Sequence, residues 1–226
     1  DPSAAPCGRC SSCRTTIFPV EADPTVRRQV DAFLDDPNRA EEIVPRKMWF
    51  SPDEDRHGQT VRIPPELQAS PGLVLGVYGA EGIEELVAKA KREGTDFPEE
   101  VVLALAQAIT ARWGKDPAGA ILAVPSLRSD RVAHAGQKLA GVLGIPFFDV
   151  IRKTHDNPPQ KTMENSFHQW KNVDSVFEVE GGGWGTIILL DDVVDSGWTL
   201  TALSAQLREA GADVVRPVAF ARSTSQ

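Results

Sequence analysis

The chain has 226 residues and a mass of 24.5 kDa, with 41% hydrophobic and 25% charged residues, a balance that excludes collagenous, low-complexity and wholly disordered classes. At roughly 150 residues per domain this is one domain with an appendage, or two small ones, and no apolar run approaches the roughly 20 residues of a membrane span. The net charge is −8, with nine Lys or Arg against twelve Asp or Glu in residues 1–70 and fifteen against twenty in the rest, so the chain has no basic block to serve as a main grip on duplex DNA, although a local basic patch stays open.

The chain opens with Asp1-Pro2-Ser3 and lacks the basic and apolar stretches of a secretory signal. It reads as a piece of something longer. Its only cysteines are Cys7, Cys10 and Cys13. An odd number argues against a disulfide framework, and the C-x2-C-x2-C spacing with Gly8 forms a knuckle whose thiols converge on a metal. A reducing, cytoplasmic compartment follows. An iron–sulfur pattern would need a fourth Cys three residues after Cys13, followed by Pro, and Arg14 to Phe18 contain neither. A structural zinc site needs four ligands. His57, His134, His155 and His168 all lie away from knuckle spacing, so the fourth is expected upstream of Asp1. Free cysteines in a loose tail are the alternative.

Pro24 to Phe33 is a predicted short helix capped by Asp23, with Val26, Val30 and Phe33 on one face. Two strand-like runs follow, Ile43 to Phe50 and Thr60 to Ile63, joined by a polar turn as a hairpin-like element. Glu66 to Gly72 is a plausible boundary. From Leu73 the pattern alternates: strand to Tyr78, helices Gly82 to Arg92 and Pro98 to Trp113, strand Ala118 to Val124. A helix from Arg131 to Leu143 ending at Gly144 and a strand Pro146 to Ile151 come next. The chain closes with strands Val176 to Val179 and Thr186 to Leu190, helix Thr199 to Ala210 and strand Val214 to Phe220. Near-continuous apolar strands between helices predict an α/β fold, a parallel sheet covered on both faces. The domain division is a zinc-module end at 1–14, a connector at 15–70 and the α/β domain at 71–226.

The most specific stretch is Thr186 to Thr199, TIILLDDVVDSGWT. A buried strand delivers Asp191 and Asp192 at its carboxyl end, where open α/β sheets bind ligands. A short loop containing Gly197 then feeds a helix, so peptide N–H groups of the loop and of Trp198, with the hydroxyls of Ser196 and Thr199, form a cradle for a phosphate. The two acids would repel phosphate and suit vicinal ribose hydroxyls, directly or around Mg²⁺. The stretch thus describes a site for a ribose 5′-phosphate, with a solvated strand end as the alternative.

This stretch resembles the 5-phosphoribosyl-1-pyrophosphate (PRPP) signature of type I phosphoribosyltransferases. The resemblance implies a type I phosphoribosyltransferase-like domain that takes PRPP, a nucleotide or ribose 5-phosphate. Asp195 stands where many members have Thr or Ser. Purine-salvage members carry Asp there, acting at a base nitrogen, which makes Asp195 a candidate general acid or base, with a turn or cap role as the alternative. Ser126 and Arg128, after the strand ending at Val124, fall in the position of the pyrophosphate loop. Lys153 and Lys161 fall on the expected mobile catalytic loop between Ile151 and Phe177.

The Cys7-Gly8-Arg9-Cys10-Ser11-Ser12-Cys13 knuckle resembles the end of the zinc module that follows the motor in RecQ-family helicases. Together with Val124-Pro125-Ser126-Leu127-Arg128, Pro158-Pro159-Gln160-Lys161 and Met163-Glu164-Asn165-Ser166-Phe167, it resembles bacterial RecQ-like helicases of the RqlH type, which end in a phosphoribosyltransferase-like domain. That resemblance implies a partner motor in the same full-length polypeptide, DNA reached through that longer protein, 3′-to-5′ unwinding and a role in DNA repair. No G-x-x-x-x-G-K-[ST] occurs, so ATP belongs only to a motor outside this chain. Two functions stay open: a regulatory or accessory module that binds a phosphorylated ribose, and an active phosphoribosyltransferase. A competence-type protein is disfavoured, because its zinc module lies complete within the chain. The candidate hood, Glu42 to Gly72, carries no recognisable base-binding constellation, and core packing is the expected use of Trp49, Trp184 and Trp198.

Overall fold

The computed structural model describes residues 40–51, 58–154, 166–171, 173 and 176–224. The cysteine knuckle, the predicted helix at Pro24 to Phe33 and Lys161 lie outside the described residues. In chain order the elements are β1 (Glu41–Ile43), β2 (Met48–Phe50), β3 (Thr60–Arg62), a 3-10 turn at Pro65–Leu67 and β4 (Gly72–Val74). Then come α1 (Ile83–Glu93), α2 (Glu99–Trp113), β5 (Ala120–Ala123), α3 (Arg131–Leu143), β6 (Ile151–Lys153) and α4 (Ser166–Lys171). The last are β7 (Phe177–Val179), β8 (Gly185–Val194), α5 (Trp198–Glu209) and β9 (Ala212–Arg222).

The main sheet has the order β1-β4-β9-β8-β5. Its inner pairings are parallel, and only the edge strand β1 runs antiparallel, against β4. A parallel sheet hides both faces, and the alternation of side chains along β8 shows how. Ile188 and Leu190 pack with α1, α2 and α3 on one face, while Ile187 and Leu189 pack with Leu200, Leu203 and Leu207 of α5 on the other. All four strand residues are fully buried. This is the α/β architecture expected from the sequence, with a mainly parallel sheet covered on both faces.

The helices follow their local signals. Helix α1 carries Glu84 and Glu85 in its first turn and Lys91 and Arg92 in its last, the arrangement that complements a helix dipole. Helix α2 starts after Pro98 and buries Val101, Val102, Leu105 and Ile109. Helix α3 ends at Gly144 as predicted.

Four expectations need correcting. The run from Ile43 to Phe50 is two strands: Pro45 has no N–H to give a ladder, so the chain leaves the main sheet after Ile43 and starts a separate antiparallel hairpin, β2 with β3. The strand expected over 146–151 is a single parallel bridge, Phe147 to Ile121, before the chain departs to form β6 and pair with β7. The polar loop expected after Ile151 keeps Lys153 in β6 and contains α4, because Phe167 and Trp170 find aromatic partners in Phe50 and Trp198. Finally, β8 runs past Leu190 through both acids to Val194, carried by its pairing with β9 as far as Val194 and Arg222.

Gly72 marks the closest approach of β4 to β9, where an added Cβ would run into the Pro217 carbonyl. Backbone cannot yield as a flexible side chain can. Gly72→Ala is expected to destabilise the domain by about 1–3 kcal/mol, read as a lower urea midpoint with an unchanged slope.

Candidate functional site

Strands β5, β8 and β9 run parallel and so deliver their carboxyl ends to one edge. Of the described residues singled out from the sequence, Asp191 and Asp192 lie near that end of β8 and Asp195 to Thr199 follow it. Ser126 and Arg128 leave the edge in the loop after β5, where the Ser126 hydroxyl accepts the Arg128 N–H at 3.2 Å. Asp191 and Asp192 are neighbouring residues near the carboxyl end of β8.

The two carboxylates live differently. Asp192 is paired by the Lys91 ammonium of α1 at 2.6 Å through one oxygen and accepts the Val193 N–H at 2.6 Å through the other. Asp191 accepts the Asp192 N–H at 2.8 Å. Burial first, and then the charge of Asp192, push the Asp191 carboxyl up to about 7, against the opposing pull of that hydrogen bond and of Lys91. Asp191 therefore changes charge near neutrality while Asp192 carries its own counter-ion.

The next turn leads into α5 through Gly197. Gly197 is left-handed, with φ 76° and ψ 2°, and it precedes the right-handed α5; this alternation of hand points successive N–H groups into one concavity. Its carbonyl receives both the N–H and the hydroxyl of Thr201, at 3.0 and 2.9 Å, which fixes the first turn of the helix. Among the described residues no side-chain cap bond is made at Gly197, the N-cap of α5. Trp198, expected among the ligand-binding residues, is buried, its indole packed against Phe50 and Trp170. Asp195 accepts the Ser223 hydroxyl at 2.6 Å, tying the turn to the end of β9.

Residues absent from the sequence reading also reach this edge. Arg46, from the link between β1 and β2, donates Nε and Nη2 to the Ser196 carbonyl at 2.9 and 2.6 Å. Arg222 pairs with Glu41 at 2.5 Å. Arg46, Arg222, Glu41, Asp195 and Thr201 line a cavity of about 860 Å³ whose apolar wall includes Val74 and Leu200. No local signal marks Arg46 or Lys91: each joins the site across more than a hundred residues of chain.

The folded protein holds the Asp191 proton more tightly than an unfolded chain does, so this group favours folding below the ordinary carboxylate range and that contribution is lost as pH rises through about 7. Asp191→Asn removes the titration. The fall in thermal midpoint between pH 5.5 and pH 8 is expected to be smaller in the variant than in the parent, and an identical fall in both would show that Asp191 does not titrate there.

No protein-family model matches this chain, and no curated protein matches it. Solved structures do resemble it. The purine phosphoribosyltransferase of Pyrococcus horikoshii Ot3 is 17% identical with a TM-score of 0.38, over 56% of this chain and 83% of that one. The adenine phosphoribosyltransferase of Leishmania tarentolae is 14% identical with a TM-score of 0.40, over 73% and 94%. That of Giardia lamblia, solved with 9-deazaadenine, is 20% identical with a TM-score of 0.36, over 54% and 78%. At TM-scores below 0.5 these likenesses by themselves assign neither an activity nor a ligand to this chain.

Proposed function

We propose that this domain binds a 5-phosphorylated ribose, as PRPP, a nucleotide or ribose 5-phosphate, across the carboxyl edge of its sheet. The observation that carries the reading is left-handed Gly197 at the start of α5, a few residues after the two acids at the carboxyl end of β8. In this reading the phosphate takes the N–H groups of residues 196–199, and the ribose hydroxyls donate to Asp191. Three acids close to a phosphate would repel it. Here Lys91 offsets the charge of Asp192, and the Ser223 hydroxyl donates to Asp195.

Mg²⁺ would enter with the pyrophosphate of PRPP. Both oxygens of Asp192 are engaged, which leaves Asp191 to face such an ion. Among the described residues no three His, Cys, Asp or Glu side chains cluster to hold a metal, so ligand oxygens would carry most of it. The ion would screen the diphosphate charge, and Ser126 and Arg128 lie on the loop that would meet that end of the ligand.

A second reading, transfer of the ribose phosphate to an acceptor, is favoured by one observation: Asp195 lines the same cavity of about 860 Å³ as Ser196 and Gly197. Attachment to a RecQ-like helicase rests on the sequence resemblance alone. It brings with it zinc held by Cys7, Cys10, Cys13 and an upstream ligand, DNA as a partner of the longer polypeptide, Lys161 as a loop residue, and a cytoplasmic setting. No helix among the described residues is long and apolar enough to cross a membrane.

Calorimetric titration with PRPP and with ribose 5-phosphate, with and without Mg²⁺, tests the binding reading. Asp191→Asn combined with Asp192→Asn is expected to weaken binding at least about tenfold, the loss of charge-assisted hydrogen bonds, with cooperative unfolding retained. A double variant of parent affinity would overturn the assignment of the acids. Pyrophosphate release from PRPP on adding a nucleobase would establish the transfer reading, and binding with no release for any common base would count against it.

A further inference from the structure

The contact least explained by folding alone is made by Arg46. It lies 150 residues from Ser196 in sequence, and two of its N–H groups converge on that one carbonyl. Its guanidinium carbon sits 4.0 Å from the centroid of the Trp198 ring, and its Nε is the atom nearest to a Cβ built on Gly197. Trp198 is itself held by Trp170 and Phe50, at 5.4 and 5.6 Å between ring centroids. Among the described residues no carboxylate pairs with Arg46. A half-buried cation is thus kept against a loop without an anionic partner, and a guanidinium satisfied by stacking and one carbonyl is a costly way to attach a hairpin.

The geometry of a peptide explains what the contact achieves. In a trans peptide the carbonyl and the following N–H point in opposite directions. Two charge-assisted donors on the Ser196 carbonyl turn it toward Arg46 and so turn the Gly197 N–H away, to the other side of the loop. Left-handed Gly197 and the start of α5 then add further N–H groups to that concavity. The positive charge of Arg46 acts at the same short range in a partly desolvated setting, where it is weakly screened.

We propose that Arg46 is a positioning residue of the phosphate cradle: by clamping the Ser196 carbonyl while stacked on Trp198, it aims the Gly197 N–H at a bound phosphomonoester and supplies the uncompensated positive charge beside it. This rests on the reading that the loop takes the phosphate of a 5-phosphorylated ribose. It makes the β1–β2 link part of ligand recognition, although that link is far from the signature stretch in sequence.

The test uses the full chain with ribose 5-phosphate and unphosphorylated ribose as probes, followed by amide NMR shifts at Gly197 and Asp192, which lie at the phosphate and ribose ends of the site. Arg46→Gln is expected to weaken ribose 5-phosphate about ten- to a hundredfold, the range for hydrogen bonds involving a charged group, and to leave ribose affinity unchanged. Arg46→Lys is expected to restore little, because an ammonium cannot lie flat on an indole and give two parallel N–H groups to one carbonyl. Equal losses for both probes would reduce Arg46 to a structural strut and overturn the proposal. So would parent affinity in Arg46→Gln, while leaving the cradle itself standing. If the parent protein fails to bind ribose 5-phosphate, the cradle reading falls and the proposal with it. Should Arg46→Gln fail to fold, Arg46→Lys decides: full affinity with Lys would overturn the role assigned to the guanidinium fork.

Discussion

The parallel packing of β8 between β5 and β9 is the constraint from which the rest of the site follows. Because Ile187 to Leu190 are buried on both faces, the strand can shift in neither direction without moving apolar side chains out of one core and into the other. Its register with Ala120 to Ala123 on one side and Val214 to Val218 on the other is thereby fixed. The loop after β5, the acids of β8 and the end of β9 consequently meet at one edge. The chemistry at that edge inherits its precision from hydrocarbon packing several residues below it.

On that base, charge is distributed with little redundancy. Lys91 reaches Asp192 from α1, the Ser223 hydroxyl reaches Asp195 from the end of β9, and Arg46 reaches the loop carbonyl from the link after β1. Each partner comes from a different element, so the electrostatic character of the turn reports the assembly of the whole domain. Burial is the chief cause that raises the Asp191 carboxyl above its ordinary range.

Much of the fold was legible because the strands and helices of residues 73–222 carry strong local signals: the run from Thr186 to Leu190, the stop at Gly144, the Pro98 start. The turn at Ser196 to Thr199 was legible for the same reason, since Gly197 and the following helix are neighbours in sequence. What sequence hid was tertiary. Helix α4 spans only six residues, too few for a periodic pattern, and forms because Phe167 and Trp170 meet aromatic partners from distant elements. The departure of Ile43 from the run to Phe50 depends on β4 being available for pairing. Arg46 and Lys91 carry no motif of their own. The acids were recognised, but their placement within the strand rather than after it depends on how far β9 continues beside them.

The antiparallel edge strand β1 bears on where this domain can be cut. Strand β4 is buried at all three of its residues, and its outer hydrogen-bonding groups face β1. The edge they would otherwise leave open is closed by a strand of only three residues whose acids are tied to basic side chains, Glu41 to Arg222 and Glu42 to Arg112. Short, charged strands of this kind discourage sheets from adding a further chain. A fragment starting near residue 70 would keep the signature stretch and lose that protection, presenting Leu73 and Val74 on an unguarded edge. Self-association of such a fragment would then report a missing border strand and say nothing about the oligomeric habit of the longer protein.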